Sequence, residues 1–113
     1  MNAFEIPGLR FSLPAGVAVP MHRFVSVNAE GNAIVSNATT PVIGVSMNET
    51  TLVPEGQVTE IADGIVIVEA AGAITAGAAV ASNAEGKATT SADGKFVALT
   101  NAGAAGELLT VKL

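Results

Sequence analysis

Residues 63–88, DGIVIVEAAGAITAGAAVASNAEGKA, decide the fold. Ile65, Val66, Ile67 and Val68 are four consecutive β-branched apolar residues between Asp63-Gly64 and an Ala/Gly segment. The run is too short for a helix and suits a strand covered on both faces, because branching at Cβ restricts χ1 and packs well on a pleated surface. It reads as the central strand. Beyond it, Gly72, Gly77 and Gly86 leave room only for short strands between turns. The alanines between 70 and 79 have high helix propensity, but the glycines and β-branched residues among them allow at most one short helix.

Working outward, Val58 and Ile61 alternate imperfectly with Thr59 and Glu60. This predicts a half-buried strand that forms a hairpin with 65–68 through the turn signal Asp63-Gly64. Further upstream, residues 48–56 read as a polar loop, and 41–46, PVIGVS, as a short buried strand with Gly44 at a bulge or close backbone approach. Val17 and Val19, then Phe24, Val25 and Val27, lead to Asn28 and Gly31, the residue types that most readily supply positive φ in a reversal. Ile34 and Val35 begin the return. At the C-terminal end, 96–99 and 107–113 are the remaining strands, with Leu109, Val111 and Leu113 on one face of the last.

Residues 1–20 hold Pro7, Pro14 and Pro20 with Gly8 and Gly16. Proline fixes φ and removes a donor, so residues 1–14 are expected to be an extended arm with at most a short edge strand, and 15–113 the β-domain. Phe4, Ile6, Leu9, Phe11 and Leu13 make the arm apolar. It either lies along its own domain or docks on a partner by adding a strand or filling a groove.

An internal similarity supports a pseudo-repeated β-fold. Residues 15–19 and 76–80 share the pattern A-G-x-A-V, and each leads to an identical Asn-Ala-Glu-Gly, at 28–31 and 83–86, with extra residues in the first copy.

Composition narrows the chemistry. At 113 residues the chain is one domain, able to bury roughly two-thirds of its unfolded surface. It has no Cys, Trp or Tyr, four Phe, and a net charge of -5, with Arg10, Arg23, Lys87, Lys95 and Lys112 scattered. That pattern argues against a phosphate-tracking surface and against a base-stacking platform. No apolar run is long enough to span a membrane, and no basic segment precedes a long apolar one, so the chain reads as soluble and unexported. His22, the only histidine, has no second histidine for a metal pair and no sequence-adjacent carboxylate, so a surface or interface contact together with Arg23 is expected. No two of Glu49, Glu55, Glu60, Asp63, Glu69 and Glu85 are adjacent. Ser46 lies outside a G-x-S-x-G elbow because position 48 is Asn48. No dinucleotide or phosphate-loop glycine pattern occurs. Neither an enzyme nor a cofactor or metal site is expected.

The residues AGVAVPMHRFVSVNAEGNA, PVIGVS, the opening stretch and GKFVALTNAGAAGELLTVKL, in that order, resemble the capsid decoration or cement proteins of tailed bacteriophages from about Ala15 onward. Ile43-Gly44-Val45, the 64–68 strand, the 83–86 turn with Lys87, and the closing strand are the most specific pieces. The resemblance implies a mainly β, compact single-domain barrel or sandwich-like fold. It also implies a structural protein made in the host cytoplasm that binds the major capsid protein on the outer surface of the assembled head, as a homo-oligomer, with a trimer favoured. No catalytic residue is carried by the family. Assigning Phe4, Ile6, Leu9, Phe11, Leu13, His22 and Arg23 to capsid or subunit contacts is the finer expectation. A non-catalytic adhesion module displayed on a virion or cell is the alternative, and an accessory domain of an enzyme a third reading.

Overall fold

In the computed structural model, which describes residues 5–50 and 56–113, the chain is all-β, with no helix among those residues. The strands are β1 (Ile6–Pro14), β2 (Phe24–Val27), β3 (Ala33–Val35), β4 (Gly44–Ser46), β5 (Val58–Glu69), β6 (Ala79–Ser82), β7 (Ala88–Thr90), β8 (Phe96–Ala98) and β9 (Leu108–Lys112). They form one curled sheet in the order β3-β2-β4-β5-β9-β8-β6-β7, with β1 added on β5.

β5 is the central strand and differs from expectation in two ways. No hairpin forms at Asp63-Gly64; the strand runs through all twelve residues. The local turn preference loses to pairing along the strand. The first half lies against β1 and β4 and the second against β9, while Leu113 N donates to Gly64 O at 2.9 Å. Gly64 serves close approach instead: it has φ 110°, and a Cβ there would lie 2.6 Å from Gly8 N. Secondly, Val66 and Val68 are fully buried, but Ile65 and Ile67 are only half-buried, so one face of the run is sealed and the other is not. Gly44 is the close approach expected of it, since a Cβ there would meet Ile61 at 2.5 Å.

The two halves of the chain fold alike. The first comprises β1, β2, β3, β4 and the start of β5; the second comprises the end of β5, then β6, β7, β8 and β9. Strand order is β1-β5-β4-β2-β3 in one and β5-β9-β8-β6-β7 in the other, and each curl is closed by a parallel bridge, Ala15 to Ala33 and Ala70 to Ala88. Backbone bonds repeat in pairs. Gly16 N to Ala33 O matches Ala71 N to Ala88 O, both 2.8 Å, and Met47 N to Glu60 O matches Leu99 N to Thr110 O, both 2.8 Å. Ser46 N to Arg23 O matches Ala98 N to Ala78 O, at 2.9 and 3.0 Å.

The Asn-Ala-Glu-Gly turns are true counterparts. Asn28 Oδ1 accepts from Glu30 N and Asn32 N, and Asn83 Oδ1 from Glu85 N and Lys87 N, with Gly31 at φ 82° and Gly86 at φ 74°. The A-G-x-A-V segments are not counterparts. Gly16 corresponds to Ala71, and Gly77 corresponds to His22: Gly77 N donates to Ala98 O and His22 N to Ser46 O, from φ 90° and 63°. Alignment by composition slides here because alanine and glycine recur throughout, whereas the hydrogen-bond ladder admits one register.

The core follows the duplication. Val19, Val25, Ala33 and Ile61 fill the first half. Val66, Val68, Ile74, Val80, Leu109 and Val111 fill the second, and Phe24, Val45 and Ala62 reach across from the first half to join them. Phe24 also meets Phe96 across this joint, at a ring separation of 5.3 Å.

Candidate functional site

The apolar N-terminal segment is more than a short edge strand: β1 is nine residues long and pairs with β5 from Ile6 opposite Ile65 to Pro14 opposite Val58. Proline is tolerated at both places because β1 has a ladder on one edge only. Pairing sorts its side chains. Phe11 and Leu13 pack on the first-half core. Ile6 and Leu9, next to the register shift between Pro7 and Leu9, stay 61% and 58% exposed. Phe4 lies outside the described residues, as do 51–55 of the expected 48–56 loop.

His22 and Arg23 sit on the turn into β2, at the joint between the halves. His22 takes positive φ, rare for a side chain with a Cβ, and is held on both sides: its N donates to Ser46 O and its O accepts from Glu69 N at 2.9 Å. Its Nδ1 is buried without a hydrogen-bond partner. Arg23 reaches Glu69 at 3.4 Å and Glu85 O at 3.4 Å, and Lys87 reaches the other oxygen of Glu69 at 3.1 Å. Burial pushes the Glu69 carboxyl up. A hydrogen bond from Lys87, the charges of Arg23 and Lys87, and a hydrogen bond from Arg23 outweigh it and hold the group below its ordinary 4.5. The 83–86 turn completes the joint, with Gly86 O accepting from Phe24 N at 2.8 Å.

Sequence reasoning named His22 and Arg23 but missed Glu69 and Lys87, which lie far from them along the chain. The shared Asn-Ala-Glu-Gly motif followed by Lys87 in one copy and Asn32 in the other was the available signal. An open groove of about 410 Å³ also lies between residues 37–42 and the β6/β8 face, lined by Thr40, Pro41, Val42, Asp93, Lys95 and Phe96 among others. Among the described residues no three His, Cys, Asp or Glu side chains gather as a metal site would require. What this surface offers is contact: exposed apolar side chains, an edge strand, and polar loops on a scaffold tied by paired ladders.

Residues 6–113 match the family model described as phage cement protein. No curated protein matches the chain. Among solved structures, the crystal structure of the head fiber gp8.5 N base of bacteriophage phi29 shares the fold, with a TM-score of 0.74 at 18% identity over 93% of this chain and 92% of that one.

Proposed function

The chain belongs to the phage cement protein family and is a structural virion protein associated with the phage head; from that premise we propose that it binds the outer surface of the assembled head and stabilises the coat lattice through the major capsid protein. The observation that carries this reading is that the family match spans both halves, from β1 to the end of β9. The physical logic is linkage. A ligand that binds only the assembled state stabilises it by RT ln(1 + [L]/Kd), about 2.7 kcal/mol per site at a hundredfold excess over Kd. Repeated over many junctions, modest contacts suffice. A homotrimer at junctions between coat subunits fits that role. The -5 net charge disfavours non-specific adhesion to nucleic acid.

Of the contact residues expected from sequence, Ile6 and Leu9 are the ones this reading places against the coat, because Phe11 and Leu13 are engaged by the core and Arg23 by Glu69. The test adds purified protein to heads lacking it and measures disruption on heating. The expected result is a higher disruption temperature. Ile6→Asp and Leu9→Asp are expected to weaken attachment by about tenfold or more, since each buries a charge at the contact, while leaving the isolated protein's melting nearly unchanged. Heads equally labile with and without the wild-type protein would overturn the proposal, and binding to glycans with no affinity for heads would favour an adhesion module.

A further inference from the structure

The joint between the halves is directional. On one side is an accepting face in the first half: Phe24, whose N–H is the donor, with Arg23, Val35, Val45 and Ala62 around it. On the other is the second half's 83–86 turn, whose Gly86 would place a Cβ 2.6 Å from Val35 and 3.0 Å from Phe24 O. If the halves were related by a twofold axis, the 28–31 turn would seat on the second half in the same way. It does not: no described heavy atom lies within 4 Å of a Cβ at Gly31, and no backbone bond joins that turn to Ala79, the counterpart of Phe24. The halves therefore stack head to tail, which leaves one unused turn end and one unused accepting face on every chain.

Both unused ends carry features of contact surfaces. At the turn end, Val27 is 41% exposed where its counterpart Ser82 is buried, Val17 is 41% exposed, and the Glu30 side chain is exposed. At the accepting end, Val97 is 43% exposed where its counterpart Val45 is 1% exposed, and exposed Lys112 and Lys95 stand where the joint has Ala62 and Ile43. An acidic, apolar-edged turn thus faces the chemistry of a basic, apolar-edged strand face.

We propose that a second copy of this chain docks head to tail by reusing the joint, the 28–31 turn of one copy seating on the face around Ala79, Val97 and Lys112 of the next. Such a heterologous contact closes into a ring when its rotation permits, so it deepens the trimer reading and rests on it only for the number of copies.

The test separates the two ends. Val27→Arg with Glu30→Arg blocks the turn end by like charge against Lys95 and Lys112, and Val97→Arg blocks the accepting face. All these positions are exposed, so both proteins should melt close to wild type. Light scattering after size exclusion, without capsids, is expected to show an oligomeric wild type and each variant alone shifted to monomer, its self-association weakened by about tenfold or more, equal to 1.4 kcal/mol. An equimolar mixture of the two variants is expected to give a dimer, because one intact turn end then meets one intact accepting face. A wild type monomeric at every concentration, variants that still assemble, or a mixture that stays monomeric would each overturn the proposal. Head attachment is scored separately, by co-sedimentation of wild type with heads, so failure of one reading does not mimic failure of the other.

Discussion

Gly31 and Gly86 occupy the same place in two identical turns and differ only in their surroundings. Both need positive φ, so alanine at either costs about 1–2 kcal/mol in backbone conformation. Gly86 must in addition admit Val35 and Phe24 O inside ordinary contact distance, while Gly31 faces open space. Gly86→Ala is therefore expected to lower stability clearly more than Gly31→Ala, checked by urea denaturation of the two variants. Equal losses would show that the turn end of the second half is not packed against the first. His22 shows the same backbone demand met by a less suitable residue: the ladder fixes its N–H and C=O, and the conformation follows whatever side chain is attached.

At the scale of elements, the joint is held by a strand, a turn and three charged side chains. Arg23, Glu69 and Lys87 have counterparts Ala78, Pro14 and Asn32, so the ionic cluster exists only where the halves meet. Because the Glu69 carboxyl titrates below 4.5 in the folded chain, the folded state holds fewer protons than the unfolded one in the interval between the two values. Its contribution is thus fully present above about pH 4.5 and is lost as pH falls through the lowered folded value. Replacing Glu69 with Gln should cost about 1 kcal/mol near neutrality, and the gap from wild type should narrow below pH 4.5. Thermal melts of both proteins between pH 3 and pH 7 check this; a gap constant with pH would place the side chain outside the ionic contact.

The whole molecule is an elongated body, 38 × 25 × 23 Å, in which two similar halves of one curled sheet share β5, each over its own core cluster. The halves are nevertheless coupled, since Phe24, Val45 and Ala62 belong to the first half by chain and to the second half's core by packing. Phe24→Ala removes the largest of these, fully buried and in contact with Phe96, and should cost about 3–5 kcal/mol. The loss is expected as one cooperative transition, followed by circular dichroism and calorimetry together. Two resolved transitions would mean that the halves unfold independently.

The amino-acid sequence by itself determined the all-β class, the strand at 65–68, the close approach at Gly44, and the two Asn-Ala-Glu-Gly turns, because each rests on a local steric or hydrogen-bonding property of a few neighbouring residues. Tertiary structure decided the rest. Asp63-Gly64 is a turn signal that pairing with β1, β4 and β9 overrides, and β1 is a full strand because β5 offers it an edge to pair with. The true register of the duplication passes through His22 and Ala71, where ladder bonds are kept and residue identity is not. Glu69 and Lys87 join Arg23 only after the second half has folded back against the first. Charge and backbone pairing act across space, and no reading of adjacent residues fixes which distant strand will arrive there.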